Sequence, residues 1–133
     1  MGAVVVDASV VLAFLNPRDT MGAAVRRVLG ACRERADTFV LPASVLAESL
    51  VWTARDRPDR LADMVSRLTS LFGPGRVVDR DVAVAAARLR AGHRSLRLPD
   101  ALMLAVGVIE NATVLTCDTR LRAVDPRVQV VGA

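Results

Sequence analysis

Ala3-Val4-Val5-Val6-Asp7 is the stretch that decides the fold of this 133-residue chain. Four consecutive apolar residues, three of them β-branched, predict a short buried strand. A strand that is apolar on both faces is typical of the middle of a parallel sheet with helices on each side. Asp7 ends the strand and precedes a predicted helix, so it is expected at the sheet edge where parallel sheets bind ligands. A helix cap would be a purely structural explanation for the same aspartate.

Strands and helices alternate along the rest of the chain. The predicted strands cover residues 3–6, 38–41, 76–78, 113–116 and 128–131. This alternation predicts an α/β protein, a three-layer α/β/α sandwich around a mainly parallel sheet of about five strands. The sequence contains no linker or internal repeat, so residues 1–133 are expected to form a single domain.

The composition indicates a protein that folds around its own core and does not enter a membrane. Hydrophobic residues make up 53% of the chain, but no uncharged stretch approaches the roughly 18 residues of a membrane span. No basic segment precedes the first apolar run, as it would in a signal peptide. We therefore expect a cytoplasmic protein.

Arginine supplies all the positive charge. The net charge is +4, and all 18 basic residues are arginine, which excludes mechanisms that require a lysine. Residues 76–98 contain six arginines and two acids, so this segment carries the whole excess. Clustered arginines are suited to phosphate and nucleic acid. An ordinary solvated helix face would give the same composition.

Four acidic residues are placed near the same predicted edge of the sheet. Asp7 and Asp118 follow strands, whereas Glu48 and Asp100 lie in the first or second turn of helices that begin at that side. Each has a structural explanation when taken alone, as a cap, a turn residue or a surface residue. If the first, second and fourth predicted strands are neighbours, all four carboxylates converge on one cleft.

Clustered carboxylates repel one another unless a cation lies between them. Oxygen ligands favour Mg²⁺ or Mn²⁺ over zinc. The only histidine, His93, is predicted to lie in a loop, so a metal-activated water is left as the source of the nucleophile. The arginine-rich residues 88–97 lead directly into Asp100. Together these features predict hydrolysis of phosphodiester bonds.

The chain resembles the PIN-domain ribonucleases of the VapC toxin type over its whole length. The resemblance is carried by residues 5–9, 42–48, 98–105 and 115–121. It implies the three-layer fold, Mg²⁺- or Mn²⁺-dependent cleavage of RNA, a homodimer, and inhibition by a VapB-type antitoxin. An antitoxin helix is expected to bind the apolar stripe of residues 61–72 beside the helix at 43–55.

The resemblance also implies roles for individual residues. The acidic quartet is Asp7, Glu48, Asp100 and Asp118. The three aspartates would hold the metal directly or through water, and Glu48 would orient or deprotonate the attacking water. Ser9 and Thr116 match polar positions that support the first and last aspartates. Arg94 and Arg97 are expected to contact the RNA backbone because they precede Asp100 closely in sequence.

Three alternatives to a nuclease differ in their sequence requirements. A receiver-like signalling domain also gathers acids around Mg²⁺, but it needs a lysine that this chain lacks. A phosphatase of the haloacid-dehalogenase type would have a second aspartate two residues after Asp7, where Ser9 stands. A non-catalytic PIN-like binding module stays open, and only an RNA cleavage assay separates it from an enzyme.

Overall fold

The computed structural model describes residues 2–132, most of which lie in six α-helices and four strands. The strands are β1 (Ala3–Val6), β2 (Thr38–Val40), β3 (Thr113–Thr116) and β4 (Val128–Val130). The α-helices are α1 (Ala8–Leu15), α2 (Gly22–Glu34), α3 (Ala43–Asp56), α4 (Leu61–Phe72), α5 (Arg80–Gly92) and α6 (Leu98–Glu110). Two short 3₁₀ helices span Pro58–Arg60 and Thr119–Ala123.

The four strands form one parallel sheet in the order β2-β1-β3-β4. Helices flank it, with α6 packed on β1 and α1 packed on β3. The predicted α/β architecture is therefore confirmed. Val6 lies opposite Leu115 in the register of β1 and β3, and the backbone N–H of Asp7 donates to the Leu115 carbonyl at 3.0 Å. The carboxyl ends of these two strands consequently lie side by side.

The prediction of a strand at residues 76–78 is wrong, so the described residues contain four strands where about five were expected. Arg76 forms a single parallel bridge with Pro42, at the end of β2. Its N–H donates to Leu41 and its carbonyl accepts from Ala43. The pairing stops there because Pro42 has no N–H and Ala43 already begins α3. Val77 then points outward and is 66% exposed.

The core is built from both faces of β1 and from α6. Val4, Val5 and Val6 are all buried, as the apolar run predicted. Helix α6 lies very close to β3, as shown by the overlap that a Cβ added at Gly107 would have with Val114 Cγ2. Glycine at this position lets the helix backbone approach the strand. The described part of the chain contains no helix with the length and hydropathy to span a membrane.

Candidate active site

Asp7 is a buried carboxylate fixed by three hydrogen bonds. It is the N-cap of α1, and its Oδ1 accepts from the N–H of Ala8 at 2.7 Å. Its Oδ2 accepts from the hydroxyls of Ser9 at 2.8 Å and Thr116 at 2.7 Å. The cap explanation is therefore correct, but it accounts for only one of the two carboxylate oxygens. One carboxylate oxygen serves the helix, and the other binds the end of a strand far away in sequence.

Ser9 and Thr116 extend this network to the segment that follows β3. The Ser9 hydroxyl accepts from the N–H of Cys117 at 3.0 Å, and the Thr116 hydroxyl accepts from the N–H of Asp118 at 3.0 Å. The two hydroxyl oxygens lie 3.4 Å apart. These contacts hold the start of α1 against the end of β3, so the backbone positions of Asp7 and Asp118 are linked.

Burial makes the charged form of Asp7 costly. Desolvation raises the pKa of Asp7 above its ordinary value, and the nearby Asp100 carboxylate adds to that effect. The hydrogen bonds from Thr116, Ser9 and Ala8 lower the pKa in opposition. The net shift is upward, so a positive charge brought to this position would stabilise the ionised carboxylate.

Glu48 lies in the second turn of α3 and is half-buried. Burial raises its pKa most, and the negative charges of Asp7 and Asp100 raise it further. The guanidinium of Arg97 acts in the opposite direction. Glu48 is therefore within electrostatic range of two other acids of the predicted quartet, although these residues are separated widely in sequence.

Asp100 is buried in the first turn of α6 and is paired with an arginine. Arg97 Nε donates to Asp100 Oδ2 at 3.1 Å, and Arg97 Nη2 donates to Asp100 Oδ1 at 3.4 Å. The Asp100 side chain is 11% exposed, whereas that of Arg97 is 65% exposed. Arg97 thus covers a buried carboxylate from the solvent side.

Asp118 caps the 3₁₀ helix Thr119–Ala123 and forms the second carboxylate–arginine pair. Its Oδ1 accepts from both the N–H and Nε of Arg120 at 3.0 Å, and its Oδ2 accepts from Arg120 Nη2 at 2.8 Å. The Arg120 guanidinium lowers the pKa of Asp118, and Arg97 contributes in the same direction. Arg97 therefore interacts with three of the four acids, Glu48, Asp100 and Asp118. Asp7 is not among them, and its electrostatic neighbours are Glu48 and Asp100.

The two arginines expected to contact the RNA backbone, Arg94 and Arg97, lie in different surroundings. Arg97 lies among the acids, but Arg94 is exposed and makes none of the hydrogen bonds or ion pairs found in residues 2–132. Arg120 was assigned no role from the sequence, yet it covers Asp118. The sequence signal that could have identified Arg120 is a basic residue two positions after an aspartate that caps a turn. Asp79 caps α5 and pairs with Arg76 at 3.0 Å.

The donor chemistry of the site fits a hard divalent cation. Asp7 and Glu48 are carboxylates whose pKa values are raised by burial and by neighbouring negative charge, which a cation would relieve. Over residues 2–132, no three acid, histidine or cysteine side chains lie close enough to form a complete ligand set. Mg²⁺ commonly binds through one or two carboxylates and keeps several waters, so the arrangement remains compatible with it.

Comparison with known proteins identifies the family of this chain. The family model described as the PIN domain matches residues 4–126. The chain belongs to the PIN domain family. PIN domains are generally nucleases, which agrees with the chemistry of the acidic cluster. No curated protein matches this PIN domain.

Several solved structures share the fold of this PIN domain. FitAcB from Neisseria gonorrhoeae is 22% identical with a TM-score of 0.70, covering 87% of this chain and 88% of that one. A toxin–antitoxin complex from Klebsiella pneumoniae is 18% identical with a TM-score of 0.73, covering 96% of each chain. VapBC2 from Rickettsia felis, bound to a DNA fragment from its promoter, is 13% identical with a TM-score of 0.79, covering 97% and 98%. At 13–22% sequence identity, the similarity shows only that these proteins share a fold with this chain.

Proposed function

We propose that this PIN domain is a metal-dependent endoribonuclease and the toxin of a type II toxin–antitoxin pair. The observation that carries the proposal is that acids from distant parts of the chain come together. Thr116 donates to Asp7 and accepts from the N–H of Asp118, and the charges of Asp7 and Asp100 act on Glu48. Arg97 and Arg120 lie beside them and supply positive charge for a phosphate backbone. Acids that can hold a cation, next to arginines that can stabilise negative charge on a phosphate, are suited to hydrolysis of a phosphodiester.

The side chains of this site divide the work of hydrolysis. The oxygen of a water molecule bonds to phosphorus, and the bond from phosphorus to one ester oxygen breaks. That ester oxygen leaves with the bonding electron pair and takes a proton from the solvent. Glu48 accepts the proton that the water loses, and its raised pKa brings it closer to the working pH of a general base. Asp7 is held in one orientation by the Ser9 and Thr116 hydroxyls, which keeps its carboxylate aimed at the reacting group.

We propose Mg²⁺ or Mn²⁺ as the cofactor. The residues that would hold it, directly or through water, are Asp7, Asp100 and Asp118. When bound, the ion supplies positive charge to the phosphoryl oxygens and lowers the pKa of a bound water. Arg97 and Arg120 already balance the charge of the last two aspartates.

Cleavage of RNA under three metal conditions tests the proposal. The wild-type protein is expected to cleave single-stranded RNA with Mg²⁺ or Mn²⁺ and to stop in EDTA. Asp7→Asn should reduce the rate about 100-fold or more, as expected when a charged group of a catalytic site is neutralised. It should also lose the rise in melting temperature that Mg²⁺ gives the wild type, because a ligand stabilises only the state that binds it.

Glu34→Gln is a matched control, because Glu34 is an exposed acid at the end of α2. This variant should cleave RNA and respond to Mg²⁺ like the wild type. An equal loss of RNA cleavage in Asp7→Asn and Glu34→Gln would contradict a specific role for Asp7. No cleavage by the wild type under any metal condition would favour the alternative, a non-catalytic PIN-like binding module.

We propose a VapB-type antitoxin as the protein partner, bound at a cavity between α1, α3 and α4. The cavity has a volume of about 510 Å³, and its walls include Leu12, Trp52 and Met64. Leu12 is 43% exposed and Trp52 is 59% exposed, which is unusual for large apolar side chains and favours a docking site. Within the stripe at residues 61–72, Leu68 and Phe72 are buried in the core, and Met64 lines the cavity.

We also propose a homodimer in solution. Helices α5 and α6 carry the exposed apolar side chains Val84 and Ile109, which line a second cavity of about 490 Å³. Light scattering at several concentrations should give twice the mass of the 14.2 kDa chain. Val84→Glu should shift that mass toward the monomer, and a monomeric wild type would contradict the proposal.

A further inference from the structure

We propose that the cavity between residues 93–97 and residues 118–124 binds one nucleotide of the RNA, next to the bond that is cut. The inference rests on the proposed ribonuclease activity and adds to it a subsite that recognises the substrate. Asp100 and Asp118 form part of the cavity wall, so whatever occupies it lies directly beside the acidic cluster.

The size of the cavity fits a single nucleotide. Its volume is about 320 Å³, at the lower end of the range of roughly 300–1,000 Å³ for small-molecule sites. An RNA strand crossing the acidic cluster could therefore place one base and its sugar here, whereas its other nucleotides would lie on the open surface.

The cavity combines an apolar interior with a polar rim. Leu96 and Leu121 are buried and line it together with Val124. Ser95 and His93 supply polar atoms on the side of the 93–97 segment. Nδ1 of His93 lies 3.1 Å from the Leu89 carbonyl, so Nε2 is the ring nitrogen left for a ligand. Apolar walls with a few polar groups are typical of sites that hold a base.

Two arginines at the rim are positioned to hold the phosphates of that nucleotide. Arg97 and Arg120 each use Nε and Nη2 to bind their aspartates. Among the hydrogen bonds of residues 2–132, none is donated by Nη1 of either residue, and their side chains are 65% and 79% exposed. Each aspartate thus orients a guanidinium and leaves one amino group for a phosphate oxygen.

Among residues 2–132, no phenylalanine, tyrosine or tryptophan ring lines this subsite. The three phenylalanines lie elsewhere, with the Phe72 ring in edge contacts with Phe14 and Phe39, and the only tryptophan lines the cavity between α1, α3 and α4. A base in the subsite would instead lie against aliphatic side chains and the plane of a guanidinium, which also stacks on bases.

Photo-cross-linking to short RNA tests the inference without requiring cleavage. The probe is a pool of single-stranded RNA hexamers carrying one 4-thiouridine, mixed with the wild-type protein in EDTA. We expect the cross-linked peptides to contain residues 93–97 or 118–124. Cross-links confined to other parts of the chain would overturn the inference.

Ala123→Leu gives the second readout, because Ala123 lines the cavity and a larger side chain there reduces its volume. This variant should bind the hexamers about tenfold more weakly and show a changed base preference at one position next to the cut. Ala87→Leu is the matched control, since Ala87 is an exposed alanine of α5 outside the cavity wall. It should bind as the wild type does.

The two proposals fail in different ways. Cross-linking in the cavity without cleavage after Mg²⁺ is restored would support the subsite and contradict the nuclease proposal. Cleavage with unchanged affinity and base preference in Ala123→Leu would support the nuclease and overturn the subsite. Circular dichroism of both alanine variants confirms that weaker binding does not come from unfolding.

Discussion

Asp7 and Asp118 show why acids at strand ends are ambiguous in a sequence. Each was explained equally well as a cap or as a site residue, and in the structure each of them is a cap. What separates Asp7 from an ordinary cap is its second oxygen, which accepts two hydroxyl hydrogen bonds. Those partners depend on tertiary contacts, so residue spacing could place the acid at the sheet edge but could not describe its environment.

Glu48 and Asp118 should affect stability with opposite dependence on pH. The pKa of Glu48 is raised by burial and by Asp7 and Asp100, so the folded state holds its proton more tightly than the unfolded state. The contribution of Glu48 to the unfolding free energy should therefore fall as pH rises above the ordinary value of 4.5. The Glu48→Gln variant should lack this contribution, so its unfolding free energy should decrease less than that of the wild type between pH 4 and pH 7, or increase more.

Asp118→Asn provides the comparison of opposite sign. Arg120 lowers the pKa of Asp118, so this carboxylate stabilises the fold above its ordinary pKa of 3.8 and loses that effect as pH falls through its folded value. The variant should be less stable at pH 7 by up to about 1 kcal/mol, because the pair lies near the surface. Urea unfolding in EDTA at several pH values measures both effects. This account would be contradicted if the two substitutions changed the pH dependence of the unfolding free energy in the same direction.

At the scale of elements, periodicity and strand composition predicted most of the fold. The β-branched run of β1 and the alternation of strand and helix were sufficient for a parallel sheet. The predicted strand at 76–78 failed because the apolar pair Val77-Val78 has no neighbouring backbone to continue a ladder after Pro42. The role of Arg120 depends on the geometry of a five-residue 3₁₀ helix, which spacing rules do not describe.

The close approach of α6 to β3 makes Gly107 a sensitive position. Gly107→Ala should lower the unfolding free energy by about 1–3 kcal/mol, because the new methyl would overlap the Val114 side chain. Gly30→Ala in α2 is the control, since nothing lies within 4 Å of its added Cβ. It should stabilise the protein by about 0.5–1 kcal/mol. Urea unfolding checks both, and Val114→Ala combined with Gly107→Ala should recover part of the loss.

At the scale of the whole molecule, the two surfaces proposed to be functional differ in composition. The acidic cluster with its arginines is polar and charged, whereas the cavity between α1, α3 and α4 presents Leu12 and Trp52. Neither cavity was visible in the sequence, because each is formed by residues from segments that lie far apart. The sequence did, however, predict the stripe that supplies Met64 to one of them.

Trp52 should report directly on binding of the proposed antitoxin. It is the only tryptophan and is 59% exposed. Adding the protein encoded beside its gene should shift the Trp52 emission to shorter wavelength and protect it from acrylamide. Trp52→Ala should weaken the complex about tenfold or more, as large buried aromatic side chains at interfaces do. Val77→Ala, another exposed apolar residue, should leave affinity unchanged, and equal weakening would argue against this surface.

During translation, Asp7 is made 109 positions before Thr116, the residue that holds its second oxygen. At about 5–20 residues per second, this interval lasts roughly 5–20 s. β1 can pair with β2 during that time, but its other edge stays open until residues 113–116 emerge from the ribosome. A growing chain therefore lacks the hydrogen bond between Thr116 and Asp7 until β3 has been made, so the proposed active site assembles only after that point.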